Sequence, residues 1–239
     1  KSAATQAPAA TTAATTAPAA STPAATGQKK ELKIGIIAPL SGAGQAWGEA
    51  LERGVQIAAA EVNERGGLKI GGDTYTVKVI AYDDKYTGDG GVGAATRLIN
   101  EDKVKFIIGS ISSASVLAYQ SVTEPAQVLA LPNSYSDEVV AANKPFTVRI
   151  VMTSQEYSPI MFDWLKEAHP DYKKVAVFSP NDASGTAVSK AVVKNAKAKG
   201  YEVVADEYYE RGTTDFYPLA TKIMAKNPDF VAASGGPGE

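Results

Sequence analysis

From residue 32 onward, short apolar runs of strand length alternate with longer stretches whose apolar residues return every three or four positions. A run of four to eight apolar residues, or strict alternation, marks a strand, and a 3.6-residue period marks a helix with one buried face. Lys33–Ala38 is a short buried-strand run, and Leu51, Val55, Ala58, Ala59 and Val62 share one helical face that ends at Gly66-Gly67. Tyr75, Val77, Val79 and Ala81 alternate as a strand leading into the Asp83-Asp84 turn. A helix carrying Val92, Ala95, Leu98 and Ile99 follows, then a strand at Val104–Ile108, a helix at Ser113–Gln120 and a strand at Val128–Leu131. Phe146–Val151 is expected to close the series as a fifth strand. Strands separated by helices imply βαβ units, a parallel sheet and helices on both of its faces.

The cycle restarts after residue 151. Tyr157, Ile160, Met161, Trp164, Leu165 and Ala168 form a helical stripe, which predicts Trp164 in a core. Strand Lys174–Phe178 follows, then a helix around Val188, Ala191 and Val192 that stops at Gly200. Strand Tyr201–Asp206 comes next, then a helix with Asp215 as N-cap burying Phe216, Leu219, Ala220, Ile223 and Met224, and strand Phe230–Ala233. The expected architecture is therefore α/β: two similar lobes, residues 31–150 and 151–239, each a parallel sheet flanked by helices. The second is expected to be truncated, because the chain stops just after a strand and starts at Lys1 without Met.

Residues 1–28 have a different character. Ala, Thr and Pro supply 22 of those 28 positions, and no large apolar residue precedes Leu32. Such a segment cannot bury enough surface to offset its ordering entropy. Residues 1–30 read as a disordered tether, consistent with a stalk behind an export signal or lipid-modified N-terminus upstream of Lys1. The remaining composition narrows the function. A net charge of −2 argues against nucleic acid, which needs a concentrated basic face. No apolar run approaches the roughly 18–20 residues that span a bilayer. There is no cysteine and one histidine, His169, which excludes a disulfide framework, a Cys nucleophile and structural zinc.

In a parallel α/β sheet ligands bind beyond the carboxyl ends of the strands. The loops at those ends are Pro39–Gly48 after the first strand, Gly109–Ser115 after the third and Pro132–Ser136 after the fourth. They bring small hydroxyls, glycine backbone and two aromatics, Trp47 and Tyr135, to one edge. Ser112 and Ser113 fall at a helix start, where amide groups and the dipole favour a carboxylate; the plainer role of such a serine is a helix cap. Trp47, in a glycine-rich loop, reads as a wall of a cleft. Two enzyme readings fail. Gly42, Gly44 and Gly48 approximate a dinucleotide fingerprint, but the third glycine is one residue late and Asp83 lies far beyond the roughly 20-residue spacing required. Gly109-Ser110-Ile111-Ser112-Ser113 does not form the Gly-x-Ser-x-Gly nucleophile elbow, and His169 falls away from the carboxyl edge. No catalytic residue, metal or cofactor is therefore expected.

Lys33–Trp47 (KIGIIAPLSGAGQAW), Val62-Asn63-Glu64-Arg65-Gly66-Gly67, Tyr82-Asp83-Asp84, Ile108-Gly109 before the serine cluster and Thr214-Asp215-Phe216 together resemble the type I periplasmic binding proteins of the branched-chain amino acid ABC-transporter group, over residues 32–239. The resemblance implies a cleft between lobes that closes on a small ligand and hands it to a membrane permease. It implies a monomer, located in the periplasm or at the cell surface. The family's carboxylate-binding serine matches Ser113, with Ser112 beside it, and its cleft tryptophan matches Trp47. Ser134 and Tyr135 stand where Ala and Thr are usual, Ser184 stands where an aromatic often lines the second lobe, and Pro237 replaces a tyrosine. These departures weigh against an aliphatic amino acid and leave a small carboxylate or amide open. The alternative function is a ligand-sensing receptor domain of the same fold.

Overall fold

Ile36, Ile37 and Ala38 are fully buried because their strand, β1 (Lys29–Ala38), lies inside a sheet between β3 (Asp73–Asp83) and β4 (Phe106–Gly109). The computed structural model describes residues 27–236, so most of the expected tether lies outside the described residues. β1 begins four residues before its apolar run, and Lys29 is already paired with Thr74. The sheet order is β2-β3-β1-β4-β5, with β2 at Leu68–Ile70 and β5 at Leu129–Leu131. Every pairing is parallel except β2 with β3, a hairpin turned by Gly71 and Gly72, both at positive φ. The strand order reverses around β1, which opens a crevice beyond its carboxyl end.

Helices α2 (Gly88–Asn100) and α3 (Ser113–Thr123) close one face of this sheet. Ala95 and Leu98 from α2, Val116 and Tyr119 from α3, and Ile37, Ile107 and Ala130 from the strands form its core. Helix α1 (Gln45–Glu64) covers the other face more thinly: Val55, Ala59 and Val62 border an open hollow of about 270 Å³ floored by Ile34, Val77 and Ile108. Asn63 holds α1 in place by a reciprocal pair, its amide donating to the Val77 carbonyl at 2.9 Å and its side-chain oxygen accepting the Val77 amide at 2.8 Å. The Val62–Gly67 motif is thus a helix end docked on the middle of β3, released by Gly66 at φ 94°.

The second sheet is parallel, in the order β7-β6-β8, with β6 at Lys174–Pro180, β7 at Glu202–Tyr209 and β8 at Phe230–Ala233. Its core joins Val175 and Val177 to Phe162 and Leu165 of α4 (Ser154–Ala168) and to Val188, Val192 and Ala196 of α5 (Ala183–Ala198). A short α6 spans Tyr217–Met224. The two expected α/β cycles are present, in the expected order.

Four local expectations are corrected. Met224, expected to be buried by the last helix, is 58% exposed, and Ile223 takes the inner face. Phe146–Val151 is not a strand: one bridge joins Ala130 to Thr147, and although the Ile150 amide reaches the Pro132 carbonyl, Pro132 has no N–H to continue the ladder. Trp164 is not core. It is 59% exposed, and the buried face of α4 carries Ser154, Ser158, Phe162 and Leu165. The stripe was rotated because serines occupy part of that face: Ser158 accepts a hydrogen bond from Asn195 of α5 at 2.8 Å, a polar contact that an apolar pattern does not register. Asp215 is not the N-cap of α6; Phe216 occupies that position, and the Asp215 carboxylate accepts the Tyr217 amide from one residue further out.

Candidate functional site

The carboxyl ends of both sheets face one cavity of about 400 Å³. Tyr82-Asp83-Asp84 stands at the end of β3, just before Tyr86, which lines the cavity. One Asp83 oxygen accepts the Leu40 and Lys85 amides, each at 2.8 Å, and the other accepts the Ser41 hydroxyl at 2.6 Å. Burial acts to raise the pKa of Asp83, but the Ser41 hydroxyl and the Lys85 and Leu40 amides outweigh it and hold the carboxyl below its ordinary value. The loop after β1 is thereby tied to the end of β3. That tie sets Trp47, in the first turn of α1, beside Tyr86, with ring centroids 6.5 Å apart and planes 28° apart. Gly48 lets the helix approach: a Cβ there would lie 1.8 Å from the Pro39 carbonyl oxygen. The third glycine of the fingerprint-like run is therefore a packing glycine.

Trp47, Tyr135 and Ser184, three of the residues singled out from sequence, line the cavity. The Tyr135 phenol has a raised pKa, through burial and then through the neighbouring Tyr157. The other three stand behind the wall. Ser112 is the N-cap of α3, its hydroxyl accepting the Ser115 amide at 3.3 Å. Ser113 and Ser134 are fully buried and share a 2.8 Å hydrogen bond between their hydroxyls. The Ser136 amide also donates to the Ser113 hydroxyl, at 3.3 Å. Ser184, at the start of α5, completes this cluster from the second sheet: its hydroxyl donates to that of Ser113 at 3.0 Å and accepts the Ser113 amide at 3.2 Å.

Tyr86, Asn133, Tyr157 and Arg211 also line the cavity, and none of them was singled out from sequence as a site residue. Tyr86 and Arg211 follow β3 and β7, so the strand-end rule that selected the other loops applies to them equally. The Arg211 side chain is 12% exposed and pairs through Nε with Asp182 at 2.6 Å. Its guanidinium carbon lies 5.2 Å from the Trp47 ring centroid and 4.8 Å from that of Tyr86. Arg211, on the second sheet, thus meets two rings of the first, an arrangement that partly desolvates the cation. The other oxygen of Asp182 accepts the Gly185 amide at 2.7 Å and caps α5. His169 belongs elsewhere, stacked on Tyr172 with ring centroids 4.5 Å apart.

Among the described residues no group of three His, Cys, Asp or Glu side chains is arranged to hold a metal ion. Within the same residues no helix is long and apolar enough to cross a membrane. What the cavity offers is a cation, aromatic walls, hydroxyls and an amide, groups suited to holding a small polar molecule.

Residues 31–239 match the family described as periplasmic binding protein. The chain is 30% identical over 209 residues to a Leu/Ile/Val-binding protein homolog of Brucella abortus, covering 84% of this chain and 51% of the relative. It is 28% identical over 206 residues to an amino acid binding protein of Pseudomonas aeruginosa, covering 86% and 54%. It spans about half the length of the curated relatives it matches. Among solved structures it is similar to a leucine binding protein of Thermotoga maritima, at a TM-score of 0.72 and 24% identity over 84% of this chain and 55% of that one. It is also similar to a solute binding protein of an ABC transporter from Rhodopseudomonas palustris, solved with 3,4-dihydroxybenzoic acid, at a TM-score of 0.75 and 23% identity over 87% and 55%.

Proposed function

We propose, from the premise that this chain belongs to the periplasmic binding protein family, that it is the ligand-capturing part of an extracytoplasmic solute-binding protein and not an enzyme. Residues 31–150 and 151–239 act as two lobes that close on a small molecule and present it to the permease of an ABC importer. The observation that carries the reading is the 400 Å³ cavity, which takes Trp47, Tyr86 and Tyr135 from one side and Tyr157, Ser184 and Arg211 from the other. A site divided in this way binds most tightly when both halves meet around the ligand.

Trp47, Tyr135 and Ser184 contact the ligand, while Ser112, Ser113 and Ser134 hold the edge of the site in shape. The ligand is an amino acid, a small carboxylate or an amide. Relatives named for binding amino acids, and a structural neighbour solved with an aromatic acid, support that range. The protein works as a monomer in the periplasm or at the cell surface, tethered through residues 1–30. Calorimetric titration of the protein in its natural length against amino acids, small carboxylates and amides tests the reading. Micromolar binding of one such compound is expected, and no heat from any member of the three classes would sink it.

A further inference from the structure

We propose that Tyr86 contacts the ligand and that Asp84 is its positioning residue. The buried Asp84 carboxylate holds a left-handed turn at Lys85-Tyr86, and that turn sets the Tyr86 ring beside Trp47 on the cavity wall. The inference rests on the solute-binding reading above and adds to its site one contact and one support. Lys85 and Tyr86 have φ of 53° and 62°. Residues with a Cβ rarely adopt this conformation singly, and two in succession persist only where the surroundings impose it.

Hydrogen bonds impose it here. The Asp83 and Asp84 carboxylates each accept the amide two residues on, from Lys85 at 2.8 Å and from Tyr86 at 2.9 Å. The Asp84 carbonyl accepts the Thr87 amide at 2.9 Å, and the Ser112 hydroxyl donates to the Tyr86 carbonyl at 3.3 Å. Both backbone groups of Tyr86 are thus held by side chains, one from the end of β3 and one from the start of α3. Asp83 is partly exposed, whereas Asp84 is fully buried. The Asp84 amide donates to the Ala38 carbonyl at 3.0 Å, and a Cβ at Gly90 of α2 would lie 2.1 Å from the Asp84 carbonyl oxygen. Asp84 is therefore the fixed point from which the turn is built. The ring it delivers lines the cavity beside Trp47 and packs against Gly44, between β1 and α1, where a Cβ would lie 2.6 Å from Tyr86 Cδ2. Relaxation of Tyr86 to negative φ would re-aim its Cα–Cβ bond and lose this placement. A contact residue is only as well placed as the groups that support it.

The test is calorimetry on the protein in its natural length. The ligand is the member of the amino acid, small carboxylate and amide series that the wild type binds, with L-leucine and 3,4-dihydroxybenzoate tried first. Tyr86→Ala is expected to weaken binding by about 2- to 12-fold, the factor of one aromatic contact. Asp84→Ala should give a loss of the same size, and Asp84→Asn, which keeps an acceptor for the Tyr86 amide, should restore most of it. The Asp84→Ala loss should vanish when Tyr86 is already alanine, because it acts through that ring. If Asp84→Ala does not fold, Ser112→Ala takes its place in the same cycle. Wild-type affinity in Tyr86→Ala would overturn the contact. The positioning role would be overturned by a loss that persists undiminished beside Tyr86→Ala, or by one as large in Asp84→Asn as in Asp84→Ala. Each of these results leaves the solute-binding reading standing. Failure of every amino acid, carboxylate and amide to bind the wild type would remove both.

Discussion

The hydroxyl of Ser184 lies 3.0 Å from that of Ser113, across 71 positions of sequence, and the same oxygen accepts the Ser113 amide at 3.2 Å. These bonds run between the start of α5 and the start of α3, so they join the two sheets directly beside the cavity. Ser113 is fully buried and Ser184 is 7% exposed. Together with Ser134 and the Ser136 amide, the pair forms a hydrogen-bonded cluster in which the Ser113 hydroxyl has three partners. In this arrangement Ser113 serves the contact between the sheets, and Ser184, which lines the cavity, stands between the cavity and Ser113.

Ser184→Ala should therefore lower stability as well as affinity. It removes one hydroxyl and leaves the buried Ser113 amide without its acceptor, a loss of about 1–3 kcal/mol, or roughly 2–4 °C in Tm for each kcal/mol in a protein of this size. Thermal unfolding of the single and double variants with Ser113→Ala measures it. The two effects should be non-additive, as expected for groups in contact. An unchanged Tm in Ser184→Ala would show that the sheets are not held together here.

The two tryptophans should report on different surroundings. Trp47 lies in the cavity beside Tyr86 and Arg211, whereas Trp164 is 59% exposed on α4. Trp164→Phe should remove the red-shifted, solvent-like part of the emission and preserve the change on ligand binding. Trp47→Phe should abolish that change and weaken binding by roughly 0.5–1.5 kcal/mol, the worth of an aromatic contact. A ligand response that persists in Trp47→Phe would place the reporter elsewhere.

Asp83→Asn should destabilise in a pH-dependent way. The folded-state pKa of Asp83 lies below the ordinary carboxylate value, so its charged form stabilises the fold above that value and the contribution is lost as the pH falls through the folded pKa. At pH 7 the variant should unfold at lower urea than the wild type. The gap should narrow below about pH 4, the ordinary aspartate value. A gap of constant size from pH 7 to pH 3 would show that the carboxylate charge is immaterial to the tie between Leu40, Ser41 and Lys85.

Two glycines of α1 should respond in opposite directions to the same substitution. A Cβ at Gly48 would collide with the Pro39 carbonyl, so Gly48→Ala should cost about 1–3 kcal/mol by overpacking. A Cβ at Gly54 would meet nothing within 4 Å, so Gly54→Ala should gain about 0.5–1 kcal/mol from helix propensity. Urea denaturation of both variants provides the comparison. Equal effects would contradict the close approach of α1 to Pro39.

The order of strands and helices was legible because it rests on local periodicity. Ile36 and Ile37 in one run, Ala95 and Leu98 on one face, and Val175 and Val177 in another run are all core residues in the structure. The loops that reach the cavity were equally legible, since parallel strands send their carboxyl ends to one edge. The same rule extended to the loops after β3 and β7 would have included Tyr86 and Arg211. Gly71-Gly72 likewise carried a hairpin signal for β2.

What only the tertiary structure decided depends on partners distant in the chain. Whether Ser113 faces a ligand or a protein hydroxyl is set by Ser184, and a run of serines looks the same in sequence either way. Trp164 is exposed because Phe162 and two hydrogen-bonded serines take the inner face of α4, and apolar periodicity assigns no burial to a serine that bonds to Asn195. Arg211 acquires its role by crossing to rings more than 120 positions earlier in the chain. Periodicity reports what each segment presents to its own sheet. The approach of one sheet edge to the other decides which of those groups are satisfied within the protein and which line the cavity.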